Sequence, residues 1–275
     1  MNIKRIPPFV LFKNIVAWLL SIIMLVPLAL IVMTAFKSGQ DAVTLSFALP
    51  KQWDVSNLTT VIERGRLYRG FLNSFLYAGA GTVMTVMLAS MASYMFSRRR
   101  TRGSQILYFF LVLGIVLPTN YVALMKVMQV LHLINQRIGI IFLYTATQIP
   151  FMVFLIYGFV SRIPISLDEA AVMDGCGPLR LFFSVIFPLL KPVFISAGVL
   201  CFLNMWNEFI LPLYFLNATD KWPMTLAVYN FFGQFGRQWN LICANVLLTI
   251  LPVIIVYLLC QKHIVGGLTA GAVKG

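Results

Sequence analysis

Charge is scarce in this chain, and acidic charge scarcest: its 275 residues hold 21 Lys and Arg but only 8 Asp and Glu, and charged residues make up 11% of the whole. An average soluble domain carries about 25% charged residues, so a water-surrounded globular fold is excluded. Histidine is nearly absent, and His132 and His263 lie far apart without partners at metal-ligand spacing. The four cysteines, Cys176, Cys201, Cys243 and Cys260, form no CxxC pair, which argues against a zinc site and a disulfide framework alike. No GxxxxGK[ST] phosphate loop occurs, nor any Gly-Lys dipeptide; if ATP drives this protein, another chain binds it. No nucleophile, base and orienting group stand together at readable spacing, so the chain is not expected to be an enzyme.

What is present is apolar surface. Hydrophobic residues make up 60% of the chain, and the mean hydropathy is +0.89. A helix needs roughly 20 apolar residues to cross the hydrocarbon core, and six such runs are readable: Asn14–Phe36, Phe71–Ser97, Gln105–Lys126, Ile138–Val160, Val193–Leu216 and Leu241–Cys260. The expected fold is therefore an all-α polytopic membrane protein with six transmembrane helices. The first run exceeds the roughly 7–15 residues of a signal-peptide core, so it is read as a retained helix. The domain plan is an N-terminus over 1–13, a six-helix transmembrane domain over 14–262, and a C-terminal tail over 263–275.

A net charge of +13 would suggest nucleic acid in a soluble protein. Here the cations flank spans, and topology explains them better. Arg98, Arg99, Arg100 and Arg102 crowd the short connection after the second run. By parity they share a side with Lys4, Arg5 and Lys13 and with the connection after the fourth run. That side is read as the cytoplasm, with both termini on it. Over all connections this places twelve Lys and Arg inside and nine outside, a bias too small to decide, so the orientation rests on the arginine cluster. Arg64, Arg66 and Arg69 fall on the outer side and are accounted for only by an interfacial helix. Pro27, Pro118, Pro150, Pro212 and Pro252 fall within or at the edge of spans, where each permits a kink; gating and the ordinary abundance of proline in membrane helices both fit. Gly79, Gly81, Thr85, Ala89 and Ser93 allow another helix to approach the second run closely.

The connection after the fourth run, Ser166–Pro192, has its own grammar. Ser166 and Glu169 match an S-x-x-E capping box, which starts a helix at about Leu167. Gly175 offers the left-handed conformation that ends helices, and Gly177-Pro178 suits the cap and first turn of the next. The expected result is a short helix, a bend, and a longer helix leading into the fifth run. Ala170 and Ala171 give the short helix a flat face with little side-chain entropy to lose, suited to docking in a partner's groove. A well-capped hairpin with no partner fits the same residues.

Glu169, Ala170, Ala171, Asp174, Gly175, Phe182, Pro188 and Pro192 resemble, in register, the EAA motif of ABC-importer permeases. Cys176 stands where alanine is common. The resemblance implies a coupling helix that docks into a cleft on a cytoplasmic ATPase, with Glu169 and Asp174 orienting it and Gly175 supplying the bend. Trp206, Asn207, Glu208 and Phe209 are similar to the WNEF sequence of carbohydrate-uptake permeases, and Gly266–Gly275 is similar to the tail of the maltose-type (MalG-like) subunit. Together these imply a type I ABC-importer permease fold in a bacterial or archaeal inner membrane. The implied partners are a second, related permease, two ATPase copies that hold ATP and Mg, and an extracytoplasmic sugar-binding protein. No cofactor is implied for this chain.

Asn204, Asn207 and Glu208 lie near the middle of the fifth run, with Asn204 and Glu208 four apart. An ionised side chain there costs on the order of 2.5–3.5 kcal/mol on insertion scales, so it should face protein or water. With Trp206 beside them, these residues form a candidate substrate pathway: amides bond hydroxyls and indoles stack on sugar C–H groups. They equally suit hydrogen bonds that hold two permeases together. Glu208 also sustains an alternative, an ion-coupled secondary sugar transporter, which would leave the Ser166–Pro192 segment unused.

Overall fold

The structure, a computed structural model, describes residues 8–232 and 237–272, and of Pro8 and residues 263–272 the backbone alone. The described chain is all-α. Its helices are α1 (Pro8–Ala35), α2 (Gly39–Ala42), α3 (Ser56–Arg64), α4 (Leu67–Arg98), α5 (Arg102–Leu113), α6 (Tyr121–Val130) and α7 (Arg137–Val160). They continue as α8 (Ser166–Met173), α9 (Pro178–Leu181), α10 (Phe187–Leu189), α11 (Lys191–Trp206), α12 (Ile210–Phe215), α13 (Met224–Ala227) and α14 (Trp239–Ala272). Among the described residues α1, α4, α7 and α14 are each long and apolar enough to cross a membrane, and α9 to α11 form a fifth candidate bent by 80°.

Four of the expected spans coincide with α1, α4, α7 and α14, although α14 runs on to Ala272. The other two need correction. The third, Gln105–Lys126, is two helices with a break over 114–120. Pro118 there lacks an N–H and pushes its predecessor out of the α region, and Asn120 starts α6 afresh, its Oδ1 accepting the Ala123 N–H at 3.0 Å. The fifth, Val193–Leu216, breaks between Trp206 and Ile210. The expected tail match at Gly266–Gly275, like Lys4 and Arg5, lies outside the residues whose side chains are described.

Contacts divide the chain into two units. The first holds residues 1–67 and 227–251. None of the most apolar stretch of α1 is buried against the chain, so its Trp18 and Met24 are left for lipid or another subunit. The polar centre of this unit is Asn57, which donates to the Ala35 carbonyl at 3.0 Å and the Lys37 carbonyl at 2.8 Å. Asn240 in turn donates to the Asn57 Oδ1 at 2.8 Å. A buried amide is favourable only when so satisfied.

In the second unit, residues 68–226 and 252–275, α7 packs on α11, and α4 meets both. Gly81, Thr85, Ala89 and Ser93 recur every four residues and so line one face of α4. All four are buried. A Cβ on Gly81 would come within 2.7 Å of the Met205 Sδ on α11. Twelve residues along, the Ser93 hydroxyl donates to the Val153 carbonyl of α7 at 3.1 Å. The stripe thus does what small residues do in membranes, letting backbones approach. A Cβ on Gly79 would meet nothing within 4 Å beyond its own helix, so Gly79 takes no part.

Candidate functional site

The segment between α7 and α11 folds from local rules. Pro164 and Ile165 turn the chain, and their carbonyls accept the N–H groups of Leu167, Asp168 and Glu169. The expected capping box is absent. Ser166 is already the first helical residue and Ile165 the cap, so neither side chain reaches its partner, and α8 starts without a side-chain cap. Asp168 and Glu169 in the first turn complement the helix dipole instead.

At the other end Gly175 has φ +76°. Its N–H donates to the Val172 carbonyl, and that of Cys176 donates to the Ala171 carbonyl, both at 3.0 Å. This paired pattern is a Schellman closure, and its αL residue is glycine because a Cβ is penalised there. Gly177 and Pro178 are the cap and first residue of α9, as the sequence predicts. The longer helix expected beyond is instead interrupted. Residues Phe182–Ile186 form a π turn, and the chain bends by 80° at Leu190. Pro188 and Pro192 each remove a backbone donor, and an i→i+5 turn before a proline accommodates its ring.

The two faces of α8 differ in kind. Asp168 and Ala171 are turned inward and buried. Glu169, Ala170, Val172, Met173, Asp174 and Gly175 are exposed, Met173 to 87%. Of the sequence-predicted coupling residues, only Ala171 therefore faces the chain itself. Leu179 and Arg180, on α9, extend the exposed surface.

The charged anchor under α8 was not singled out from sequence. Arg98 Nε lies 2.6 Å from Asp168 Oδ2, and both side chains are largely buried. Tyr94 donates to Asp168 Oδ1 at 2.9 Å, and the Arg98 Nη2 donates to the Ile163 carbonyl at 3.1 Å. The one sequence signal was Arg98 itself, counted among four topology arginines; Arg99, Arg100 and Arg102 are exposed.

The mid-span polar residues divide among three settings. Asn204 and Asn207 are exposed. Trp206 is only 2% exposed, held between Phe202 at 5.5 Å and Phe71 at 5.8 Å. Glu208 lies past the end of α11, so it does not share a helical face with Asn204. Its Oε1 accepts the N–H groups of Ile210 at 2.8 Å and Leu211 at 3.1 Å, which opens α12. Arg69, accounted for in the sequence only by an interfacial helix, borders a pocket of about 260 Å³ with Leu72, Asn73, Leu76, Arg137 and Asp220. Among the described residues no group of three metal-ligating side chains is brought together.

The profile of a family described as binding-protein-dependent transport system inner membrane component matches residues 81–268. The chain is 32% identical to the probable starch degradation products transport system permease protein AmyC of Thermoanaerobacterium thermosulfurigenes, over 93% of both chains. It is 33% identical to the multiple sugar-binding transport system permease protein MsmG of Streptococcus mutans, over 92% of this chain and 93% of that one. It is 30% identical to the melibiose, raffinose and stachyose import permease protein MelC of Bacillus subtilis, over 91% of each. Among solved structures, a chain of a bacterial ABC transporter involved in import of the acidic polysaccharide alginate superposes with TM-score 0.77 at 25% identity, covering 92% of this chain and 96% of that one.

Proposed function

The chain belongs to the binding-protein-dependent transport system inner membrane component family, and from that premise we propose that it forms half of the translocation pathway for a sugar or oligosaccharide, driven by a partner ATPase. It is an integral inner-membrane transport subunit of a carbohydrate-uptake ABC importer and acts in a membrane complex with other ABC subunits. Its companions are a second, related permease, two copies of a cytoplasmic ATPase that carry ATP and Mg, and an extracytoplasmic sugar-binding protein. Both termini and α8 face the cytoplasm, on the side of the Arg98–Arg102 cluster.

The observation that carries this reading is α8 itself. A helix of 8 residues, closed at Gly175, presents Val172 and Met173 to solvent beside Glu169 and Asp174. Exposed apolar side chains rimmed by charge on a short capped helix are a docking surface. In the mechanism we propose, a loaded binding protein docks outside and ATP closes the ATPase dimer inside. The displacement enters this chain through α8, and α4, α7 and α11 repack to open the pathway outward. Asn204 and Asn207 offer amides to sugar hydroxyls, Trp206 backs that surface from within, and Glu208 holds the break between α11 and α12. An ion-coupled transporter would leave α8 without a task, and the Glu208 carboxylate is committed to two backbone N–H groups.

Purification of the detergent-solubilised chain from its native membrane, with co-purifying chains identified by mass spectrometry, tests the assignment. A second permease and an ATPase are expected with it. Recovery of this chain alone would contradict it.

A further inference from the structure

We propose that Tyr94, Arg98 and Asp168 form a polar joint that fixes the short helix α8 to the end of α4 and passes its displacement into the membrane helices. This inference rests on the ATP-driven reading above and assigns positioning residues within it.

The geometry is that of a two-point clamp. Arg98 is the last residue of α4, and its guanidinium holds two parts of the α7–α8 elbow at once: the Asp168 carboxylate within α8 at 2.6 Å and the Ile163 carbonyl ahead of it at 3.1 Å. A planar fork with several donors in fixed directions suits such double attachment better than the compact, freely rotating ammonium of a lysine. Tyr94, one turn back along α4, completes the Asp168 shell through its hydroxyl. Its ring meets Phe182, the first residue of the π turn, at 5.6 Å. The end of α4 therefore holds the segments on both sides of the Gly175 bend, one by charge and one by aromatic packing.

Burial argues that the pair has a purpose beyond attachment. The two side chains are 14% and 12% exposed, and taking two charges from water is costly enough that apolar residues of similar volume often hold such a position as well or better. What apolar contact lacks is direction, because it slides. An ion pair with defined partners keeps α8 in one register on α4. From Arg98, the helix runs about 25 Å to Gly81 at 1.5 Å per residue, where α4 meets Met205 of α11. A shift at α8 thus has a stiff path to the helix that carries Asn204.

The test uses the whole complex, co-expressed and reconstituted in vesicles with its binding protein. Uptake is read with radiolabelled maltotriose, raffinose or melibiose, whichever the wild type imports, alongside ATP hydrolysis in the same vesicles. The variants are Asp168→Asn, Arg98→Gln and the apolar pair Arg98→Met with Asp168→Leu. All three are expected to retain the ATPase and hydrolyse ATP, but to import at least about tenfold less sugar per ATP, a loss within the usual range of coupling energies between sites. Wild-type uptake per ATP in the single variants would overturn the joint. So would a double variant that restores it, since the pair would then be packing alone. Loss of the ATPase and of hydrolysis in the single variants would reduce the pair to an assembly element and overturn it too. A wild type without ATP-dependent uptake would instead overturn the function on which the joint depends.

Discussion

In the turn that closes α8, the N–H of Cys176 meets the carbonyl of Ala171 at 3.0 Å, and the Gly175 between them makes this possible with φ +76°. Beyond its chain neighbours, no atom lies within 4 Å of a Cβ built on that glycine, so within this chain a substitution there acts through backbone strain. An L residue in this region costs about 1–2 kcal/mol, and more when β-branched. Gly175→Val is therefore expected to loosen the bend and lower sugar uptake per ATP while leaving expression intact. Gly175→Asn, which tolerates the conformation, should lie near wild type. Equal coupling in wild type and the valine variant would remove the bend from the mechanism.

Met173 is exposed and touches little of its own chain, so Met173→Asp should leave thermal stability within about 0.5 kcal/mol of wild type. If α8 docks on the ATPase, the same change buries a charge at an apolar contact and the ATPase no longer co-purifies. Retention of the ATPase at wild-type yield would place the docking surface elsewhere.

Glu208 separates the two transport mechanisms. Glu208→Gln keeps a side-chain oxygen for the Ile210 and Leu211 N–H groups, and near-normal uptake is expected. Glu208→Leu removes the acceptor of one exposed and one part-buried N–H group, costing about 0.5–1.5 kcal/mol per hydrogen bond, which should appear as a slightly lower unfolding temperature of the purified complex. A glutamine variant that is stable but inactive would mean that the proton on Glu208 matters.

Asn204→Ala and Trp206→Ala are expected to differ in kind. The exposed amide should change which sugars are taken up, with assembly intact. The buried indole leaves a cavity, and truncation of a core aromatic costs about 3–5 kcal/mol, so the second variant should reduce recovery of the complex before it alters selectivity. An Asn204→Ala variant with unchanged uptake across several sugars would remove Asn204 from the pathway.

Long apolar runs made α1, α4, α7 and α14 legible, because crossing lipid imposes one length and one composition. The breaks at 114–120 and at Asn207–Phe209 were not, since apolar composition continues through them and only Pro118 and Glu208 mark where the backbone leaves the helix. In the α8 segment, glycine and proline act locally, so the bend at Gly175 and the start of α9 could be read directly. The capping box failed because a one-residue change in where α8 begins moves Ser166 from cap to first turn. The Arg98–Asp168 pair joins residues 70 positions apart, and no local pattern announces such a contact. Ala171 shows the same limit from another side: a flat pair of alanines reads as one face, but on a helix adjacent residues diverge by about 100°, and only Ala170 points outward.

The central claim is that ATP hydrolysed on a partner drives sugar through this chain. The most direct measurement is radiolabelled sugar uptake into vesicles containing the purified complex, with ATP and Mg supplied to the ATPase face and a protonophore present. Uptake that requires ATP and is indifferent to the protonophore is the expected result. Uptake that proceeds without ATP and collapses with the proton gradient would contradict the account.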